Sequence, residues 1–308
     1  MSNLSQTWQR LPRGGVWKAL GLGCSFGAHF WQNSPKTNMA VRCYEDKDHT
    51  ADYLKYRLMP NEMVGKIMGM IKQKMPLPAP LAVDVGCGSG QGTVLLAPYF
   101  HQVVGTDISP SQLENTQANQ TCPNVSYRQC PAEQLPFENG TVDLVTAMTA
   151  AHWFDRPRFL EEAYRVLKPG GCLTLLSYTL DMDVEYGDVS EKLKEVCKEF
   201  YAPLLPFRDP HVGSSSLQII KDMFDSCPYP EKEWCECFEV RRPISVNSFI
   251  GLVQTFAVFR KFKEHDSQQA EELSNRIRNK LLDTMLVSAP DTEITMVTKY
   301  FYWIAWKP

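Results

Sequence analysis

An apolar run that stops at a cluster of glycines constrains this chain more than any other stretch. Leu81-Ala82-Val83-Asp84-Val85 leads directly into Gly86-Cys87-Gly88-Ser89-Gly90, and Val103-Val104-Gly105-Thr106-Asp107 follows after a helix-length segment. Continuous apolar residues of this length suit a parallel strand covered on both faces. Glycines at 86, 88 and 90 permit positive φ and remove the Cβ atoms that would hold a ligand off the backbone. Asp107 ends the second strand. In a doubly wound sheet that sets its carboxylate beside the glycine turn, at the carboxyl edge where such sheets bind ligands. There it can accept two hydrogen bonds from a ribose diol. Asp84 lies inside the first strand, where an ionised group is costly unless something donates to it. Its expected task is to hold the glycine loop or a cationic ligand group.

The glycine spacing separates two kinds of nucleotide site. A dinucleotide fingerprint requires G-x-G-x-x-G, with the third glycine allowing close helix packing under a pyrophosphate. Gln91 and Thr93 stand where that glycine would be needed. An acidic residue followed by G-x-G-x-G resembles motif I of the class I methyltransferases that use S-adenosyl-L-methionine. Three later segments extend the likeness, which covers most of residues 45 to 308: Cys130-Pro131-Ala132-Glu133-Gln134-Leu135-Pro136-Phe137, the run Val142 to Met148 leading into Thr149-Ala150-Ala151-His152-Trp153-Phe154-Asp155, and Ala163-Tyr164-Arg165-Val166-Leu167-Lys168-Pro169-Gly170-Gly171 before Cys172 to Leu176. The resemblance implies an α/β fold: a doubly wound, seven-stranded, mostly parallel sheet with an antiparallel last strand, plus a small helical cap. It also implies cofactor contacts from Asp84, Gly86, Cys87, Gly88, Gly90, Asp107, Ile108, Ala132, Glu133 and Ala147. Ala132 and Glu133 inherit the roles of the backbone amide and acidic side chain that address the adenine.

Composition is consistent with a cytoplasmic enzyme. The 308 residues, 44% hydrophobic and 22% charged, suffice for one large α/β core with an attached subdomain. A net charge of −3 provides no broad attraction for nucleic acid and favours a small substrate. Ten cysteines lie scattered without a C-x-x-C pair, so reduced thiols are expected rather than a disulfide framework or a metal site. No apolar run approaches the ~20 residues of a membrane span. Oligomeric state is not legible.

Residues 1–38 hold Arg10, Arg13, Lys18 and Lys36 but no acidic residue. Such a segment suits a disordered leader or upstream extension, the alternative being a mitochondrial presequence. Tyr53, Tyr56 and Arg57 precede Pro60, which can open a helix running to about Lys74. That Tyr-x-x-Tyr-Arg element is similar to one in small-molecule methyltransferases of the trans-aconitate type, where it closes over the cofactor. The resemblance makes these three residues substrate contacts, Arg57 through its planar fork; the alternative is a capping helix whose aromatics simply pack.

Pattern divides the chain into the leader, an N-terminal lid and helix over 39–75, a cofactor-binding core over 76–180, a helical cap over 181–230 and a C-terminal part over 231–308. Crossover helices are expected at 91–100, 110–119 and 156–168, and cap helices at Ser190 to Tyr201 and Leu217 to Ser226. Glu233 to Val240 reads as the sixth strand, Ser248 to Phe262 and Ser267 to Met285 as helices, and Ile294 to Trp306 as the final antiparallel strand.

Methyl transfer from a sulfonium depends chiefly on alignment and exclusion of water. A base is needed only when the acceptor must lose a proton. His152 is the candidate, because imidazole titrates near neutral pH and its turn faces the expected pocket; the alternative is a histidine that orients substrate or satisfies backbone groups. Trp153 reads as a wall of the substrate pocket, packed on cofactor or core. Arg241, Arg242, Arg260, Lys261 and Lys263 could form an anion-binding rim, although such charges commonly make a solvated face. The resulting expectation is a methyltransferase acting on a small molecule, a carboxylic acid among the acceptors. The alternatives are a protein or nucleic-acid methyltransferase and a non-catalytic, methyltransferase-like binding protein.

Overall fold

The computed structural model describes residues 59–118, 122–209 and 216–308. The leader and Tyr53, Tyr56 and Arg57 lie outside the described residues. Helix α1 (Asn61–Ile71) precedes strand β1 (Ala79–Val85). There follow α2 (Gln91–Leu95), β2 (Phe100–Asp107), α3 (Pro110–Ala118), β3 (Val125–Gln129), β4 (Val142–Met148), α4 (Arg156–Val166), β5 (Leu167–Tyr178) and β6 (Asp183–Glu185). The remainder comprises α5 (Ser190–Tyr201), α6 (Ser216–Ser226), β7 (Glu231–Ser245), α7 (Val246–Gln254), α8 (Ala257–His265), α9 (Ser267–Met285) and β8 (Glu293–Trp306).

Strands β3, β2, β1, β4 and β5 lie side by side in that order, all parallel. The antiparallel β8 follows, paired along its whole length with β7 on one edge and with β5 and then β6 on the other. The chain therefore steps one way from β1 to β3 and the other way from β4 to β5. A crevice opens at such a reversal, between the carboxyl ends of β1 and β4. Alternate residues of β8 explain its central place. Phe301, Trp303 and Ala305 are buried on the face covered by α4 and α6, while Tyr300, Tyr302 and Ile304 are buried with α1.

Helix α4 follows from its spacing, with Phe159, Ala163 and Val166 buried along one stripe. Asp143 ties three strands together. Its carboxylate accepts the Leu81 N–H at 2.9 Å and pairs with Lys168 at 2.7 Å. The third cluster is the cap, where α5, α7, α8 and α9 pack around Phe200, Phe249, Phe256 and Ile277. Tyr178, Ile244 and Ile294 join this cluster, so the cap stands on the carboxyl ends of β5 and β7 and the start of β8.

Several expectations are corrected. The first crossover helix stops at Leu95, because Ala97 precedes Pro98, which disfavours helix, and a 3₁₀ turn over Ala97–Tyr99 leads into β2. The sheet has eight strands rather than seven, the short β6 being the addition. Strand β7 runs well past Val240 to Ser245, through the Arg241-Arg242-Pro243 stretch; as an edge strand it tolerates proline. The helix expected over Ser248 to Phe262 is two helices. The Thr255 hydroxyl donates to the Leu252 carbonyl at 2.6 Å, and Phe256 turns extended to bury its ring in the cap. Helix α6 does not belong to the cap, since Ile219, Ile220 and Met223 pack on the sheet. Replacing Asp143 by Ala should cost about 1–3 kcal/mol by stranding the Leu81 amide; urea unfolding with an unchanged midpoint would refute this role for the carboxylate.

Candidate functional site

Four segments leave the carboxyl ends of β1 to β4 at the crevice: the loop 86–90, the turn after Asp107, the loop 130–141 and the turn 149–155. The glycine loop takes its shape from positive φ at Gly86, Gly88 and Gly90 (+68°, +52° and +73°). Two of these glycines are also hemmed in. A Cβ on Gly86 would lie 2.5 Å from Ala150 Cβ, and one on Gly90 would lie 2.5 Å from Thr116 Cγ2 and the Tyr127 hydroxyl. A Cβ on Gly88 would meet no atom of the described residues within 4 Å. The middle of the loop thus borders open space while its ends are packed.

Asp107 holds that middle. Its carboxylate accepts the Gly88 N–H and the Ser109 N–H, each at 2.8 Å. Burial pushes its carboxyl up from the usual range, and the amides of Ser109, Gly88 and Ile108 oppose the shift. Two bonds leave a carboxylate with acceptor capacity for hydroxyl groups. The Thr116 hydroxyl reaches the Gly88 carbonyl at 3.1 Å, and the Ile108 carbonyl accepts from Gln129 Nε2 at 3.2 Å. Cys87 is buried, its thiol pushed well up by burial.

Asp84 is only 1% exposed. Thr93 Oγ1 donates to its Oδ2 at 2.6 Å, and Oδ1 has no hydrogen-bond partner among the described residues. Burial raises its carboxyl to about 7; the Thr93 hydroxyl opposes this, the nearby charge of Asp107 adds to it, and the Met148 backbone amide favours the anion without closing a full bond to Oδ1. Ionisation inside the fold thus costs more than it does in water. A cationic group at Oδ1 would offset that cost. These groups fit S-adenosyl-L-methionine: Asp84 Oδ1 as acceptor for a cationic group, bare backbone at Gly88 and the Asp107 carboxylate as acceptor for a ribose diol.

The turn after β4 is set against the loop through Gly86, whose missing Cβ admits Ala150 and the Phe154 ring. Between these two lie His152 and Trp153, both half-buried in a 3₁₀ turn, their rings 5.1 Å apart. Glu133 Oε1 accepts the Asp155 N–H at 2.8 Å, tying the loop after β3 to the end of the same turn. Ala132 and Ala147 are buried in the core cluster beneath, so any ligand contact there falls to backbone atoms. The expected cationic rim divides. Arg241 pairs with Glu185 and Glu239, Lys261 pairs with Asp209, and Arg242 is half-buried beside Tyr300. Among the described residues no group of three or more His, Cys, Asp or Glu could hold a metal ion, and no helix is long and apolar enough to cross a membrane.

The stretch from Val83 to Leu175, which carries the glycine loop, Asp107 and the 149–155 turn, matches the family described as "Methyltransferase domain". Residues 83–175 belong to that methyltransferase family. A Dictyostelium discoideum protein named as a methyltransferase is 34% identical over 182 residues, 59% of this chain and 66% of that protein. The chloroplastic tocopherol O-methyltransferase of Arabidopsis thaliana is 33% identical over 153 residues, 45% of this chain and 44% of that enzyme. The matches span less than two thirds of these relatives' own lengths. A solved structure named as a type II methyltransferase from Anaeromyxobacter dehalogenans shares the fold, with a TM-score of 0.64 at 21% identity over 81% of this chain and 97% of its own.

Within the methyltransferase domain, sequence reasoning missed the polar residues that brace the motif. Thr93 and Thr116 each lie on the helix following a strand that carries a recognised aspartate, and that position is the signal that could have found them. Asp84 yields a pH prediction. Unfolded, its carboxyl ionises near 3.8; folded, it keeps its proton to about pH 7. Between those values the folded state binds the extra proton, so this group's stabilising contribution falls as pH rises through the window and levels off above it. Relative to Asp84→Asn, the ligand-free protein should weaken between about pH 5 and pH 8. Urea unfolding that gives the same difference at both pH values would refute it.

Proposed function

We propose that this chain is an S-adenosyl-L-methionine-dependent methyltransferase acting on a small molecule. The observation that carries the reading is the buried Asp84 carboxylate, one oxygen of which lacks a hydrogen-bond partner among the described residues, set beside the open glycine loop and Asp107. Bound there, the cofactor supplies an electrophilic methyl group. The chain's residues would then orient and shield: Asp84 balances positive charge, Asp107 fixes the ribose, and the Ala132-Glu133 segment addresses the adenine. Alignment and exclusion of water account for most of the acceleration in such a transfer.

A small acceptor is supported by the cap, which rises from the same carboxyl edge of the sheet as the cofactor loops, and by a net charge of −3. Tocopherol, named in the Arabidopsis relative, is also a small molecule. Tyr53, Tyr56, Arg57 and Trp153 are the proposed acceptor contacts. A carboxylic acid acceptor is ionised at neutral pH and needs no base. For a hydroxyl or amine acceptor, His152 is the proposed base.

Calorimetric titration with S-adenosylhomocysteine, with NADH in a parallel cell, tests the reading. Binding of the first alone is expected. Binding of neither would overturn the cofactor assignment, and binding of NADH alone would make the site a nicotinamide one. Asp107→Ala should weaken S-adenosylhomocysteine binding by about 1–3 kcal/mol while the chain stays folded; unchanged affinity would remove the ribose assignment. Once an acceptor is found among small organic acids, alcohols and amines, His152→Ala should lower kcat for a protonated acceptor more than it weakens cofactor binding. An unaltered rate would leave His152 an orienting residue.

A further inference from the structure

The loop from Cys130 to Thr141 has neither helix nor strand, and besides a few backbone–backbone bonds its shape draws on side chains reaching in from elsewhere. Two residues of α4 supply most of them. Glu162 Oε1 accepts the Leu135 N–H at 2.7 Å, and Arg165 Nη2 donates to the Leu135 carbonyl at 2.9 Å, so both backbone groups of one loop residue are taken. Arg165 Nη1 donates to the Phe137 carbonyl at 2.8 Å and to Asn139 Oδ1 at 2.7 Å. Nε and Nη2 also bind the two Glu162 oxygens, at 2.8 and 2.7 Å. This pairing holds the Glu162 carboxyl below its ordinary range. The planar guanidinium uses all three nitrogens in directions that a lysine ammonium cannot reproduce.

The same helix reaches the front of the loop, because the Asp155 N–H that caps Glu133 belongs to the residue immediately before α4. The loop is therefore held to α4 at both ends, with Ala132 and Glu133 between the β3 strand and the pinned Leu135. We propose that Arg165 and Glu162 are positioning residues for ligand binding: they hold Ala132 and Glu133 as the adenine-side wall of the cofactor site. This rests on the cofactor reading given above. It goes beyond that reading by assigning affinity to two side chains that do not themselves touch the ligand.

Arg165→Lys keeps the charge and the alkyl stem but loses the fork, and so spares the fold more than truncation would. S-adenosylhomocysteine and 5′-methylthioadenosine should both bind this variant about tenfold more weakly than wild type, since both carry the adenine. Hydrogen exchange at the Leu135 amide should accelerate, while amides of β1 and β4 keep their protection. A purely structural pair would lower the melting temperature and leave affinity in the folded variant unmoved. Unchanged affinity for both ligands despite a faster-exchanging Leu135 overturns the proposal alone. Wild-type protein that binds neither ligand overturns the cofactor reading, and the proposal with it.

Discussion

Two carboxylates at the reversal between β1 and β4, Asp84 buried and Asp107 half-buried, set the conditions for everything around them. Asp107 is held by N–H groups of the glycine loop and of its own turn, and Asp84 by a single hydroxyl. Burial disfavours the ionisation of Asp84, and the charge of Asp107 adds to the effect. The glycine loop answers the first carboxylate with backbone donors. Nothing among the described residues fully answers the second, and a fold that keeps an acceptor in this condition is suited to a ligand carrying positive charge.

The parts of the fold that sequence made legible are those governed by short-range pattern. The run from Leu81 to Val85, the glycines after it and a strand ending at Asp107 all depend on residues that are neighbours in the chain, and the structure brings Asp84, Gly88 and Asp107 together at one sheet edge. Strand β8 was legible as a strand, although both its faces are buried, against different helices, where an apolar–polar alternation would leave one exposed. What escaped depends on partners far along the chain. The break at Thr255 needs knowledge of where Phe256 goes, and α6 carries the same apolar stripe whether it packs in the cap or on the sheet. Pattern alone ends β7 before Arg241, because only its pairing with β8 shows that arginine and proline there belong to an edge strand.

In the candidate site the division is similar. The glycines and aspartates announce themselves by spacing, whereas Thr93, Thr116, Glu162 and Arg165 are ordinary polar residues of helices until the backbone groups they meet are known. Arg165 stands within the stretch Ala163 to Gly171 that carries the family resemblance, yet nothing local indicates that its guanidinium spans three residues of a loop that precedes it by about thirty positions. Tyr53, Tyr56 and Arg57 lie outside the described residues.

Strand β8 lies between β5 and β7 although it follows both in the chain. During synthesis from the amino end, β1 to β5 can complete their parallel ladder as they emerge. Strand β7 emerges with no ladder partner until β8 has been made. Strand edges left open in this way are templates for pairing with another chain. Late closure thus falls on the segment that also carries the base of the cap, so the nascent protein has its parallel ladder and glycine loop built before the cap can close on the sheet. Until the fourteen residues Glu293–Trp306 are made, both β5 and β7 wait with an open edge.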